Sequence, residues 1–170
     1  MLLGVNIDHI ATLRQARYAT MLDSFNVDPS AEAAAYAAQR GGADSITIHV
    51  RGDRRHMQDA DALRVRESVA LPLNLEMGNT PEMVDFALQL KPDYICMVPE
   101  KREEITTEGG LDAVFHEKEL SSTLARMADN DIQVSLFIDP DLPQVEAAAR
   151  LGAPMIELHT GCFANNDGKK

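Results

Sequence analysis

The sequence predicts an α/β fold, a TIM (β/α)8-type barrel with only about six βα units present in this chain. Two observations predict it. Apolar segments of strand length alternate with helical segments six times along 170 residues, with no shift in composition that would mark a linker. Such alternation implies a parallel sheet with right-handed crossovers. Most strands also pair an apolar face with a polar one, whereas strands covered on both sides are apolar nearly throughout. A closed barrel reconciles the two: the outer face packs on helices and the inner face leads up to a polar mouth at the C-terminal strand ends. A doubly wound open sheet is the alternative, since it too places sites at strand ends. One domain over residues 1–170 is expected.

Leu2 to Asp8 reads as the first strand, with Leu3, Val5 and Ile7 on one face and Asn6 and Asp8 on the other. His9 and a loop carrying Arg14 and Arg17 follow. Asp28-Pro29-Ser30 opens a helix that runs through alanines to Arg40 and stops at Gly41-Gly42. The second strand, Ser45 to Val50, alternates strictly. Ile46, Ile48 and Val50 face one way, Ser45, Thr47 and His49 the other, and a loop with Arg51, Arg54, Arg55 and His56 follows. Asp59 to Val69 is the next helix. Pro72 to Glu76 is the third strand, with Asn74 and Glu76 on its polar face. Thr80 caps a helix whose first residue is Pro81 and which Lys91-Pro92 ends. Tyr94 to Val98 is a fourth, more uniformly apolar strand. A long polar loop from Pro99 to Gly110 leads to a helix over Leu120 to Asn130. Gln133 to Asp139 is the fifth strand, Pro143 to Leu151 a helix closed by Gly152, and Met155 to His159 the sixth strand, with Glu157 and His159 sharing a face.

The net charge of -11 argues against nucleic acid as a partner, because phosphates would be repelled. No apolar run approaches the ~20 residues of a membrane span, so no membrane partner is expected. No secretory leader is read at the N-terminus. Cys96 and Cys162 have neither disulfide nor metal-ligand spacing. These features fit a reducing, cytoplasmic setting.

Asp8, His9, His49, Glu76, Asp139, Glu157 and His159 stand at predicted strand ends and would converge on one mouth. Asp139, just before Pro140, is best read as a cap or ion-pair partner and is set aside. Seven of the sixteen basic residues follow the first, second and fourth strands: Arg14, Arg17, Arg51, Arg54, Arg55, Lys101 and Arg102. Cations concentrated at one mouth of an acidic protein point to a small anion such as a phosphate. Thr106-Thr107-Glu108-Gly109-Gly110 offers further hydroxyl and backbone N–H donors. Histidine and desolvated glutamate beside such a site suit enolisation, imine formation or dehydration at a carbonyl. A barrel metal site is the competing reading, opposed by the surrounding arginines and by the lack of a His-x-His or His-Glu-x-x-His pattern.

Several stretches resemble the pyridoxine 5'-phosphate synthase family of vitamin B6 biosynthesis. They are Gly4 to Arg14 with Arg17, Ile48 to Arg51 with Asp53 to His56, Asn74 to Met77, Val98 to Arg102 with Thr106 to Gly110, Gln133 to Asp139, and Ile156 to Cys162. The resemblance implies a cytoplasmic homo-oligomer built from dimers. It implies a reaction in which 3-amino-2-oxopropyl phosphate condenses with 1-deoxy-D-xylulose 5-phosphate, without metal or organic cofactor. It further implies that His49 and Glu76 are proton acceptors and that Glu157 stabilises a charged intermediate. Asp8, His9, Arg51, His56 and Thr106 would hold the pentulose phosphate, and Asn6 and Arg17 the amino-ketone phosphate. The family pattern has eight units. Its proton-donor histidine and later Gly-rich phosphate turns follow the sixth strand and are not among these 170 residues. A fragment that binds sugar phosphate without turnover and a metal-dependent barrel hydrolase or aldolase are the rival readings.

Overall fold

A computed structural model describes residues 1–21, 26–100 and 109–164. Six parallel strands form one sheet in sequence order: β1 Gly4–Asn6, β2 Ser45–His49, β3 Leu73–Met77, β4 Tyr94–Met97, β5 Gln133–Ile138 and β6 Met155–Leu158. A doubly wound sheet reverses its winding at a switch point. Here the order never reverses, so the chain forms a curled half-barrel with helices outside. The curl is visible in side chains that skip a strand. Asn6 on β1 reaches Glu76 on β3, and Cys96 on β4 reaches Glu157 on β6.

The helices are α1 Asp8–Tyr18, α2 Ala31–Arg40, α3 Asp59–Ser68, α4 Pro81–Leu90, α5 Glu117–Ala128, α6 Leu142–Arg150 and α7 Gly161–Ala164. Ser30 and Thr80 cap α2 and α4 by accepting from Ala33 N and Met83 N, as their positions in the sequence predict. Lys91 closes α4 in the left-handed region, at φ 52°, and its N–H returns to Ala87 O.

Residues 8–18 are helix rather than the expected loop. The Asn6 side chain accepts the Asp8 N–H and so relieves one orphan donor of the first turn. The inward side of α1 buries Ala11 and Arg14. A buried arginine where the pattern calls for an aliphatic residue hides the periodicity from sequence.

The core lies between the convex face of the sheet and the helices. Ile46, Ile48, Leu75, Ile95 and Leu136 are fully buried there, against Ala35, Val65, Met83, Ala87 and Leu120. Each large aliphatic side chain so buried contributes roughly 1.5–3 kcal/mol. This dry face pins the register, because a one-residue slip would turn every isoleucine to the concave side. With the register fixed, Thr47 pairs with Asn74, and His49 with Glu76 and then Cys96. The polar residues are thereby set in layers on the concave face, the layer of His49 and Glu76 nearest the mouth.

Candidate active site

His49 is the last residue of β2 and Glu76 sits beside it on β3. Glu76 Oε2 lies 3.6 Å from His49 Nδ1, and its other oxygen accepts a long 3.4 Å hydrogen bond from Asn6 Nδ2. Burial pushes the Glu76 carboxyl above its ordinary value. His49 pulls against this, and the nearby Glu157 and Asp8 carboxylates add to it. On the far side of the imidazole, Nε2 lies 3.0 Å from Glu100 Oε1, while Glu100 Oε2 accepts from Gly52 N at 2.9 Å. Burial alone would raise the Glu100 carboxyl. The His49 and Gly52 hydrogen bonds outweigh it and hold Glu100 below the ordinary range.

A second group lies at the start of α1 and in the loop after β2. His56 Nδ1 is 3.6 Å from Asp8 Oδ2, and Arg51 Nε is 3.9 Å from Asp53 Oδ1. Three buried atoms here, Asp8 Oδ1, Arg51 Nε and His56 Nδ1, have no hydrogen-bond partner among the described residues. Leaving a buried polar group unpaired costs about 1–3 kcal/mol, so each of these atoms would gain from a polar ligand.

The other cations of the predicted mouth are committed elsewhere. Arg14 makes two 2.7 Å bonds to Asp61 and is almost wholly buried, so it braces α1 on α3. Arg54 is held by Asp59 and Glu82, and Arg55 by Asp53. Of the three arginines in the loop after β2, Arg51 has the longest ion pair, 3.9 Å to Asp53, and its charge also acts on Glu100. Arg17 lies nine residues beyond Asp8 on α1, about 13 Å along the axis, with its guanidinium over Tyr18. His9 is exposed on the first turn of α1. Thr106, like Lys101 and Arg102, lies outside the described residues.

Two expectations for the later loops change. The Gly110 N–H is spent on Asp139 Oδ1 at 3.0 Å, so it is no anion donor. Asp139 also faces His159 Nδ1 at 3.1 Å, while Asp141 caps α6. Asp139 is therefore not a helix cap but an ion-pair partner, of His159 rather than an arginine, and it ties the Gly110 segment to the end of β6. Glu157 is exposed on β6 and accepts from the Cys96 thiol at 3.4 Å. Glu100 is the site residue that the sequence reading missed. Its position directly after the fourth strand, in a motif read for its lysine and arginine, was the available signal.

Residues 3–170 match the family model for the pyridoxal phosphate biosynthesis protein PdxJ. The chain belongs to the PdxJ family. It is 89% identical over 170 residues to the pyridoxine 5'-phosphate synthase of Akkermansia muciniphila, covering all of this chain and 69% of that protein. It is 53% identical over 168 residues to the synthase of Opitutus terrae, covering 98% of this chain and 68% of the relative. The chain thus spans about two thirds of the length of these PdxJ-family enzymes. A mandelate oxidase bound to (S)-2-phenylpropionate matches in fold, with a TM-score of 0.56 over 75% of this chain and 44% of the oxidase. At 14% identity that likeness concerns the barrel architecture alone. No helix among the described residues is long and apolar enough to cross a membrane.

Proposed function

We propose that this chain carries the acid–base centre of a pyridoxine 5'-phosphate synthase acting on two phosphorylated substrates, 3-amino-2-oxopropyl phosphate and 1-deoxy-D-xylulose 5-phosphate. The amine adds to the ketone and water leaves as the imine forms. Phosphate and further water are then eliminated, and the ring closes to pyridoxine 5'-phosphate. His49 and Glu76 take up protons during these steps. Glu157 offsets positive charge that develops on the imine nitrogen. Asp8, His9, Arg51, His56 and Thr106 hold the pentulose phosphate, and Asn6 and Arg17 the amino-ketone phosphate. No metal or organic cofactor takes part, and the working protein is a cytoplasmic homo-oligomer.

The observation that supports this reading most directly is His49 lying 3.6 Å from a Glu76 whose carboxyl is raised by burial. An imidazole and a tuned carboxyl side by side can pass protons at neutral pH, which imine formation and elimination both demand. The three unpaired atoms on Asp8, Arg51 and His56 support a phosphorylated, hydroxylated ligand beside them. The test is pyridoxine 5'-phosphate formation by the protein as its gene encodes it, supplied with both substrates in excess chelator. Full turnover is expected, falling by about 10²-fold or more in His49→Asn. Product that disappears with chelator would favour a metal-dependent barrel instead. Tight binding of the pentulose phosphate with no product would leave a binding protein.

A further inference from the structure

We infer that Glu100 is a positioning residue that fixes the tautomer of His49, making Nδ1 rather than Nε2 the nitrogen that exchanges protons with substrate; this rests on the acid–base role given to His49 above. The imidazole stands between two carboxylates that are not equivalent. Glu100 is at hydrogen-bond distance from Nε2, whereas Glu76 stands beyond it, on the Nδ1 side.

Glu100 has no freedom to act otherwise. Its Oε2 faces the Gly52 N–H, which can only donate. Its carboxyl is held in the ionised form, so Oε1 is an acceptor as well. Nε2 of His49 must then carry the hydrogen, and in the neutral ring the lone pair is on Nδ1. The carboxylate is also packed in place. A Cβ on Gly78 would stand 3.0 Å from Glu100 Cδ, and one on Gly52 would stand 3.3 Å from Oε2. The side chain therefore occupies a slot that exists because both neighbours are glycine.

Glu100→Gln separates this role from bulk and fold. A glutamine side chain has nearly the same shape but offers one acceptor and one donor where two acceptors are required. If its oxygen keeps the Gly52 N–H, its amide N–H turns toward Nε2 and drives the ring to the wrong tautomer. If its oxygen keeps His49, two donors face each other at Gly52.

The experiment is 15N NMR of histidine-labelled protein at a pH where the rings are neutral, with the His49 signals assigned by their loss in His49→Asn. Wild-type protein is expected to show hydrogen on Nε2 and a free lone pair on Nδ1. Glu100→Gln should lose that pattern, with kcat reduced on the order of 10²-fold and KM for either substrate changed less than about threefold. Hydrogen on Nδ1 in the wild-type protein overturns the inference without recourse to any variant. So does a Glu100→Gln protein with an unchanged His49 pattern and kcat within about twofold of wild type. If wild-type protein shows the expected tautomer and makes no product, the tautomer assignment stands and the synthase reading falls.

Discussion

Arg14 on α1 and Arg51 in the loop after β2 are partnered to very different degrees. Arg14 spends four of its five N–H groups: Asp61 takes two at 2.7 Å, and the His56 carbonyl and the Gln15 side chain one each at 3.2 Å. Arg51 keeps a buried Nε without a hydrogen-bond partner among the described residues, its ion pair with Asp53 being 3.9 Å long, and an Asp8 oxygen and a His56 nitrogen also lack hydrogen-bond partners. The difference separates scaffold from site. A well-partnered buried pair holds α1 against α3 and gains nothing from a ligand. Unpaired buried atoms cost the empty protein stability and recover it when a ligand supplies the missing groups.

Substitution is the most forceful way to break this comparison. Arg14→Ala removes two hydrogen bonds from the buried Asp61 carboxylate, leaving it Arg64 and the Gln58 N–H, and is expected to cost about 2–3 kcal/mol in denaturant unfolding. Arg51→Ala removes a buried unpaired N–H and should leave the free energy of unfolding unchanged or raise it by about 1 kcal/mol, while weakening pentulose phosphate binding about tenfold to a hundredfold, as isothermal titration would show. If Arg51→Ala unfolded the protein and Arg14→Ala abolished binding in a stable fold, the assignment of scaffold and site would be reversed.

Acid titration sharpens the contrast. Burial alone would raise the Asp61 carboxyl, but the Arg14 hydrogen bonds, the Gln58 N–H and the Arg64 charge hold it below its ordinary 3.8. A depressed folded value means that stability from this pair is fully present above pH 3.8 and is lost as pH falls through the folded value. Glu76 has the opposite sign. Its raised carboxyl favours the neutral form in the fold, so stability is lost as pH rises from its ordinary 4.5 through the folded value, and the cost persists at neutral pH. Urea midpoints followed from about pH 3 to 8 should lose their acid limb in part in Asp61→Asn. In Glu76→Gln the neutral-pH midpoint should rise.

The smallest effect expected is at a cap. Ser30→Ala removes the acceptor for Ala33 N and should cost about 1 kcal/mol in the same unfolding experiment, with turnover unchanged.

What the sequence discloses follows the range of the interactions. The strand faces were legible because Ile46, Ile48 and Val50 alternate with Ser45, Thr47 and His49, and alternation is a local property. The starts of α2 and α4 were legible because Ser30 and Thr80-Pro81 act on neighbours three residues away. α1 was not legible, because its inward side buries an arginine whose partner, Asp61, is 47 residues distant. The arginine-rich mouth was overcounted for the same reason, since Arg14, Arg54 and Arg55 are all neutralised by carboxylates that only the fold identifies. Glu100 escaped notice because its partners, His49 and Gly52, belong to a different strand and loop. His49, Glu76 and Glu157 were named as mouth residues by parity. Their distances from one another depend on the curl of the sheet.

The most direct test of the acid–base centre is a paired measurement on Glu76→Gln: pyridoxine 5'-phosphate formation and pentulose phosphate affinity, on the same preparation. The predicted result is turnover reduced by about 10²-fold or more with affinity within about threefold of wild type. Turnover retained at the wild-type rate would contradict the account, because the carboxyl held against His49 would then have no part in moving protons.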